Sequence, residues 1–296
     1  MTEPAMQYAT PANGCRDTSP TAAETAIEAL AERIAMSRRV LVLTGAGVST
    51  DSGIPDYRDD SGQWKRRQPV QFREFVGSLQ TRRRYWARSL IGWERIDGAR
   101  PNRAHEALAA LEKGGHVDCL VTQNVDGLHN KAGSRRVIDL HGRLDVVECL
   151  GCRARRPRST FQNELEALNR DWRNLEADSA PDGDADLEGV SFAGFRVPDC
   201  PACGGIWKPG VVFFGEQIPR ERNAQARHWM EQADALLVAG SSLMVWSGYR
   251  FARAAAERGL PVMAVNLGRT RAEPLLTHRV TARCGEALPR LARLLG

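Results

Sequence analysis

The sequence predicts an α/β fold: a Rossmann-like parallel sheet with helices on both faces, plus a smaller zinc-binding domain and a helical insertion. Three observations predict it. Short, almost wholly apolar runs alternate with amphipathic stretches, as in parallel strands buried on both faces. Each run ends in a polar segment, and ligands of such sheets sit at the carboxyl ends of the strands. Two Cys-x-x-Cys pairs without a secretion signal favour a metal over disulfides.

Taken in order, residues 1–20 are rich in Pro, Ala, Thr and Ser and read as a disordered tail that resembles no secretory or transit signal. A cytoplasmic protein is the expectation. Thr21 to Met36 reads as a helix, with Thr21 and Glu24 spaced as a capping box and Ile27, Leu30 and Ile34 on one face. Strands are expected at Val40–Leu43, Cys119–Val121, Val137–Leu140, Ala235–Ala239 and Pro261–Val265, with helices at Ala104–Lys113 and Gly248–Arg258. The sheet domain would then be built from 21–62, 104–145 and 208–296.

Two segments interrupt it. Residues 63–103, with Trp64, Phe72, Phe75, Tyr85, Trp86 and Trp93, read as a helical module. Residues 146–207 hold both cysteine pairs, Cys149/Cys152 and Cys200/Cys203. Four thiolates suit a closed, structural Zn²⁺ site better than a redox dithiol. The pairs are separated by 153–199, far more than the ~15–20 residues of a plain zinc ribbon. An acidic insert from Asn163 to Gly189 accounts for the gap if it loops out. Cys15, Cys119 and Cys284 lie outside the pattern.

Composition excludes several classes. A chain of 296 residues with 42% hydrophobic and 26% charged residues is globular, and no apolar run nears the ~20 residues of a membrane span. The net charge of +5 is carried mostly by arginine, densest around Lys65-Arg66-Arg67 and Arg82-Arg83-Arg84. That cluster reads as a solvated helical surface before it reads as a nucleic-acid patch.

The chemistry concentrates at strand ends. After Val40–Leu43 comes Gly45-x-Gly47, a tight turn whose N–H groups could approach a phosphate. Thr50 stands where a dinucleotide fingerprint has its third small residue, and the loop continues through Asp51, Ser52, Gly53, Pro55, Asp56 and Arg58. Gln123-Asn124-Val125-Asp126 and His141-Gly142 close two further strands. Histidine suits proton abstraction near pH 7. No Gly-x-Ser-x-Gly nucleophile is present.

Gly45–Arg58, Thr122–His129, Leu140–Gly142, both cysteine pairs, Lys208–Glu216 and Gly240–Leu243 together resemble a sirtuin, over residues 24–295. Tyr85-Trp-Ala-Arg88, the long inter-cysteine insert, Asp182-Gly-Asp184 and Arg283-Cys-Gly-Glu286 resemble the class II branch. The resemblance implies an NAD⁺-consuming protein-lysine deacylase that transfers the acyl group to ADP-ribose, with one structural Zn²⁺ and acyl-lysine proteins or peptides as substrates. No membrane partner is expected from a chain without a long apolar run, and the oligomeric state is left open.

By the same resemblance, Ala46, Gly47 and Ser49 would cradle phosphate, Pro55, Asp56, Tyr57 and Arg58 would belong to a mobile cofactor loop, and Gly45 and Trp64 would also be cofactor-binding. Gln123, Asn124, Val125 and Asp126 would line the ribose and nicotinamide pocket, with His141, Asn124 and Asp126 catalytic. Gly240, Ser241, Ser242, Asn266, Leu267, Gly268 and Cys284 would hold the adenosine end. Val211, Phe213 and Gly215 would pair with the substrate backbone. Tyr85 and Arg88 are either a carboxylate grip for an acidic acyl chain or ordinary neighbours on a helix face. The competing functions are protein mono-ADP-ribosyl transfer, a zinc-ribbon nucleic-acid binder and a silent NAD sensor.

Overall fold

The structure is a computed structural model describing residues 20–65, 69–172, 178–179, 185–186 and 190–296. The expected tail, Cys15, Arg66, Arg67, Asp182-Gly-Asp184 and the side chain of Thr21 lie outside the described residues.

The chain begins with α1 (Pro20–Ala35), β1 (Val40–Thr44), α2 (Phe72–Gly77), α3 (Leu79–Gly98), α4 (Arg103–Lys113) and β2 (Cys119–Thr122). It continues through α5 (Leu128–Lys131), β3 (Val137–Asp139), β4 (Gly142–Cys149), β5 (Arg155–Pro157) and α6 (Arg158–Leu168). A two-residue pair, β6 (Asp178–Ser179) and β7 (Ala185–Asp186), precedes β8 (Trp207–Val211). The last part is α7 (Arg220–Gln232), β9 (Ala235–Ala239), α8 (Trp246–Glu257), β10 (Val262–Val265), β11 (His278–Val280) and α9 (Cys284–Leu295).

Six strands form a parallel sheet in the order β11-β10-β9-β1-β2-β3. Its four inner strands, β10, β9, β1 and β2, are buried along their whole length because both faces are covered. On β1, Val40 and Val42 pack with Ile27, Leu30, Leu108, Leu288 and Leu291 of α1, α4 and α9. Leu41 and Leu43 point the other way, towards Ala226 and Met230 of α7 and Phe251 and Ala255 of α8. The strand period of two sets this alternation.

The second sheet is antiparallel, in the order β5-β4-β8. It shares one core with both interrupting segments: Phe75, Tyr85, Trp86 and Trp93 from α2 and α3 meet Phe161, Leu165, Phe195 and Trp207. The expected boundaries at 146 and 208 fall inside β4 and β8. Residues 163–168 do not loop out as expected, because they complete α6 and bury Leu165. Of the arginine cluster, Arg82 is tied down: its Nη1 donates to the Phe75 and Val76 carbonyls at 3.0 and 2.9 Å, closing the end of α2.

β4 and β8 run from the cysteine pairs to the main sheet. Cys149 pairs with Trp207 at one end, and Gly142 with Val211 at the other. Gly142 has φ +83, and a Cβ there would lie 2.0 Å from the Gly210 carbonyl. Only glycine permits that crossing.

Candidate active site

The carboxyl ends of β1, β2, β3, β9 and β10 open onto a cavity of about 880 Å³. Its lining includes Gly45, Ala46, Gly47, Ser49, Asp56, Tyr57, Arg58, Trp64, Tyr85, Gln123, Asn124, Val125, Asp126 and His141. Val211, Phe213, Gly215, Gly240, Ser241, Ser242, Asn266, Leu267, Gly268 and Cys284 complete the expected set. Pro55 and Arg88 are not on the wall. Tyr85 reaches it from a buried aromatic group, with its ring 5.3 Å from that of Phe213 and 5.4 Å from that of Phe75. Arg88, a turn further along α3, is not among the residues lining the cavity.

The glycines of the β1 turn have a different reason from the expected one. Gly45 and Gly47 N–H donate to the Ala239 and Gly240 carbonyls, not outward to a phosphate. A Cβ on Gly45 would meet Ser241 at 2.8 Å, and one on Gly47 would meet the Gly240 carbonyl at 2.9 Å. They are bare so that the loops after β1 and β9 can touch. That second loop is itself constrained, since Leu243 sits at φ 52. A non-glycine residue there costs about 1 kcal/mol or more and persists only where its surroundings enforce it.

Behind this turn lies a buried polar network. Asn102 caps α4, accepting from Ala104 N–H at 2.9 Å, while its own N–H donates to His105 Nδ1 at 3.3 Å. His105 therefore carries its proton on Nε2, which faces Ser49 Oγ at 3.4 Å. Ser49 Oγ also accepts from Asn124 Nδ2 at 3.0 Å and donates to Asp126 Oδ2 at 2.7 Å. Asp126 Oδ1 takes the Leu128 N–H at 2.9 Å. The carboxylate is thus held at both oxygens. Gln123 is a cross-link as well, donating to Thr44 O at 3.1 Å and to Ser241 Oγ at 2.8 Å.

His141 stands apart from that network. Its Nδ1 is 2.9 Å from the Gln123 carbonyl and its Nε2 2.8 Å from Ser247 Oγ. Burial pushes its pKa down to about 4, and the nearby Arg250 and Arg222 push in the same direction. The ring is neutral at pH 7, with its proton on Nδ1.

Residues 53–65 cover one side of the cavity. The Arg58 guanidinium lies 3.9 Å from the Trp64 ring centroid, and its Nη1 donates to Gly62 O at 2.8 Å. Trp64 meets Phe214 edge-on at 5.8 Å. Nearby, the buried Lys208 Nζ donates to the carbonyls of Pro209 and Val211 and pairs with Glu216 at 3.1 Å. Glu216 in turn accepts the Phe213 N–H at 2.8 Å. Sequence reasoning missed Ser247, Arg250 and Asn223, all on the lining. Their only signal was proximity to Gly240-Ser241-Ser242 and to the Lys208–Glu216 run.

The four paired cysteines form a separate cluster. Their sulfur atoms all lie within 4.8 Å of one another, with Cys149–Cys203 at 3.5 Å and Cys152–Cys200 at 3.7 Å. Tetrahedral Zn–S bonds of about 2.3 Å put sulfurs about 3.8 Å apart, so the set fits zinc. A Cβ on Gly205 would lie 2.9 and 3.0 Å from the sulfurs of Cys149 and Cys203. The turn leaves room for the thiolates and no more.

A parallel sheet with a polar cavity at its strand ends, joined to a four-cysteine module, is the layout of a ligand-binding α/β protein with a metal module. Residues 45–247 match the Sir2 family, and the chain belongs to it. It is 60% identical over 261 residues to NAD-dependent protein deacetylase 2 of Bradyrhizobium diazoefficiens, covering 88% of this chain and 96% of that protein. It is 61% identical over 260 residues to an NAD-dependent protein deacetylase of Xanthomonas campestris pv. campestris, covering 88% and 89%. A Sir2 homologue solved with NAD superposes with a TM-score of 0.70 at 31% identity, covering 90% of this chain and 93% of that one. A Sir2 complex with a p53 peptide and NAD⁺ gives 0.73 at 27% identity, covering 90% and 97%.

Proposed function

We propose that this chain is an NAD-dependent protein-lysine deacylase, a deacetylase in the first instance. The cavity at the strand ends carries the reading, because it joins a fixed carboxylate network to a neutral histidine. When bound, NAD⁺ supplies the ribose carbon to which the acyl oxygen bonds as nicotinamide leaves. Asn124, Ser49 and Asp126 form a preset group of donors and acceptors for the polar end of that co-substrate. Being held by their neighbours beforehand, they need little reorganisation in the reaction. His141 is the base for a ribose hydroxyl, since a neutral ring with its proton on Nδ1 offers Nε2 as acceptor. Tyr85, Val70, Leu144 and Phe213 supply apolar wall that keeps water from the reacting atoms.

The acyl-lysine chain would bind beside β8. That strand is the edge of its sheet, and an extended peptide can pair alongside an edge. Val211, Phe213 and Gly215 are the residues assigned to this pairing. Gly45, Gly240, Ser241, Asn266 and Cys284 are assigned to the adenosine half. The four thiolates would hold a structural Zn²⁺, which needs a reducing compartment and so supports a cytoplasmic location.

The test is incubation with NAD⁺ and an acetyl-lysine peptide, followed by mass spectrometry. The reading predicts free lysine peptide, nicotinamide and O-acetyl-ADP-ribose in equal amounts. ADP-ribosylated protein with the acetyl group left in place would overturn it in favour of ADP-ribosyl transfer.

A further inference from the structure

The nitrogen with which His141 would act is already covered. Its Nδ1 faces the Gln123 carbonyl, an atom that only accepts, so Nδ1 carries the proton. Nε2 then holds the ring's in-plane lone pair, and the Ser247 hydroxyl 2.8 Å away must donate to it. Ser247 lies in the first turn of α8, where its carbonyl accepts from Arg250 Nε at 3.1 Å. Its side chain is on the cavity wall. A hydroxyl arriving from the cavity therefore meets Ser247 between itself and the base, or must push it aside.

We propose that Ser247 is a catalytic residue, the hydroxyl through which His141 Nε2 takes the proton of the substrate's ribose hydroxyl. The proposal rests on the deacylase reading above. The ribose O–H bond breaks as its proton bonds to Ser247 Oγ, while the proton that Ser247 carried bonds to Nε2. The serine ends as it began, with one hydrogen. The imidazole becomes imidazolium, and the ribose oxygen keeps the electron pair with which it attacks the acyl carbon. The reverse transfer to the departing product resets both groups. Charged groups facing His141 are Arg250 on α8 and Arg222 on α7. Both disfavour imidazolium, so the proton is returned readily.

The experiment compares the wild type with Ser247→Ala and Ser247→Thr. It measures kcat for deacylation, its pH profile and its dependence on the fraction of D₂O. NAD⁺ binding by calorimetry confirms that each variant is folded. Ser247→Ala is expected to lower kcat about 10-fold to 100-fold, with NAD⁺ affinity within about twofold of the wild type. Its acid limb moves to higher pH, because the donor that stabilised the neutral ring is gone. The wild-type rate falls along a curve with D₂O fraction, as two protons in flight require, and Ser247→Ala gives a straight line. Ser247→Thr, which keeps the hydroxyl, restores most of kcat and the curvature. A Ser247→Ala enzyme with unchanged kcat and unchanged acid limb overturns the proposal while leaving the deacylase reading intact. So does curvature that persists in that variant. A wild type inert on acyl-lysine peptides overturns both.

Discussion

His141, the base proposed above, is kept unprotonated by its surroundings. Its pKa of about 4 lies below the ordinary 6.5, so the base is available from pH 5 upward and no rate limb near pH 6.5 belongs to it. Replacing His141 by Ala is expected to reduce deacylation by about 10²-fold to 10⁴-fold, measured as acetyl-lysine loss at saturating NAD⁺. The same burial has a cost for stability. His105 is also pushed down to about 4 and His129 well below 6.5. The unfolded chain therefore takes up protons that the folded one refuses. Stability is full above about pH 6.5 and is lost as the pH falls towards 4. Melting temperature across pH 7.5 to 4.5 should show this decline, and a His129→Gln variant should show a shallower one. A decline equally steep in that variant would remove His129 from the account.

At the scale of elements, the wall that would take the peptide is held by a buried cation. Lys208 gathers the Pro209 and Val211 carbonyls and Glu216, and Glu216 holds the Phe213 N–H. Lys208→Met leaves Glu216 without its partner in a largely buried place, a loss of about 3 kcal/mol. The expected result is a lower melting temperature together with a raised KM for peptide and a nearly unchanged KM for NAD⁺. If both KM values rose alike, the clamp would not be specific to the peptide wall.

Much at this scale was legible in the sequence. Wholly apolar runs such as Val40–Leu43 and Ala235–Ala239, short and bounded by turn residues, read as strands buried on both faces, and their polar ends mark the cavity. The reason for the glycines was not legible. Gly45 and Gly47 are bare towards the loop at Gly240, a contact between segments nearly two hundred residues apart. Ser247 was hidden likewise, because its meaning depends on a histidine more than a hundred residues away in the chain. Of the two residues in the Tyr85–Arg88 spacing, Tyr85 lines the cavity, which the spacing alone did not tell. Local periodicity reads elements well and reads which side chains meet across them poorly.

At the scale of the whole molecule, the cysteine module and the cavity are the two ends of one sheet. β4 and β8 start from the cysteine pairs and finish at Gly142 and Val211 on the cavity side. The core beneath them is shared with α3, which delivers Tyr85. Removing zinc should therefore disable the enzyme without touching any residue of the cavity. Treatment with a strong chelator is expected to abolish deacylation and lower the melting temperature, and added Zn²⁺ should restore both. Full activity in protein shown by metal analysis to be zinc-free would contradict this coupling.

Consumption of NAD⁺ to remove acyl groups from lysine is read out by mass spectrometry of the NAD-derived product, made with an acetyl-lysine peptide in H₂¹⁸O. The expected product is O-acetyl-ADP-ribose that carries the peptide's own acetyl group and appears in step with nicotinamide. Free acetate formed without nicotinamide, or ADP-ribose attached to protein, would contradict it.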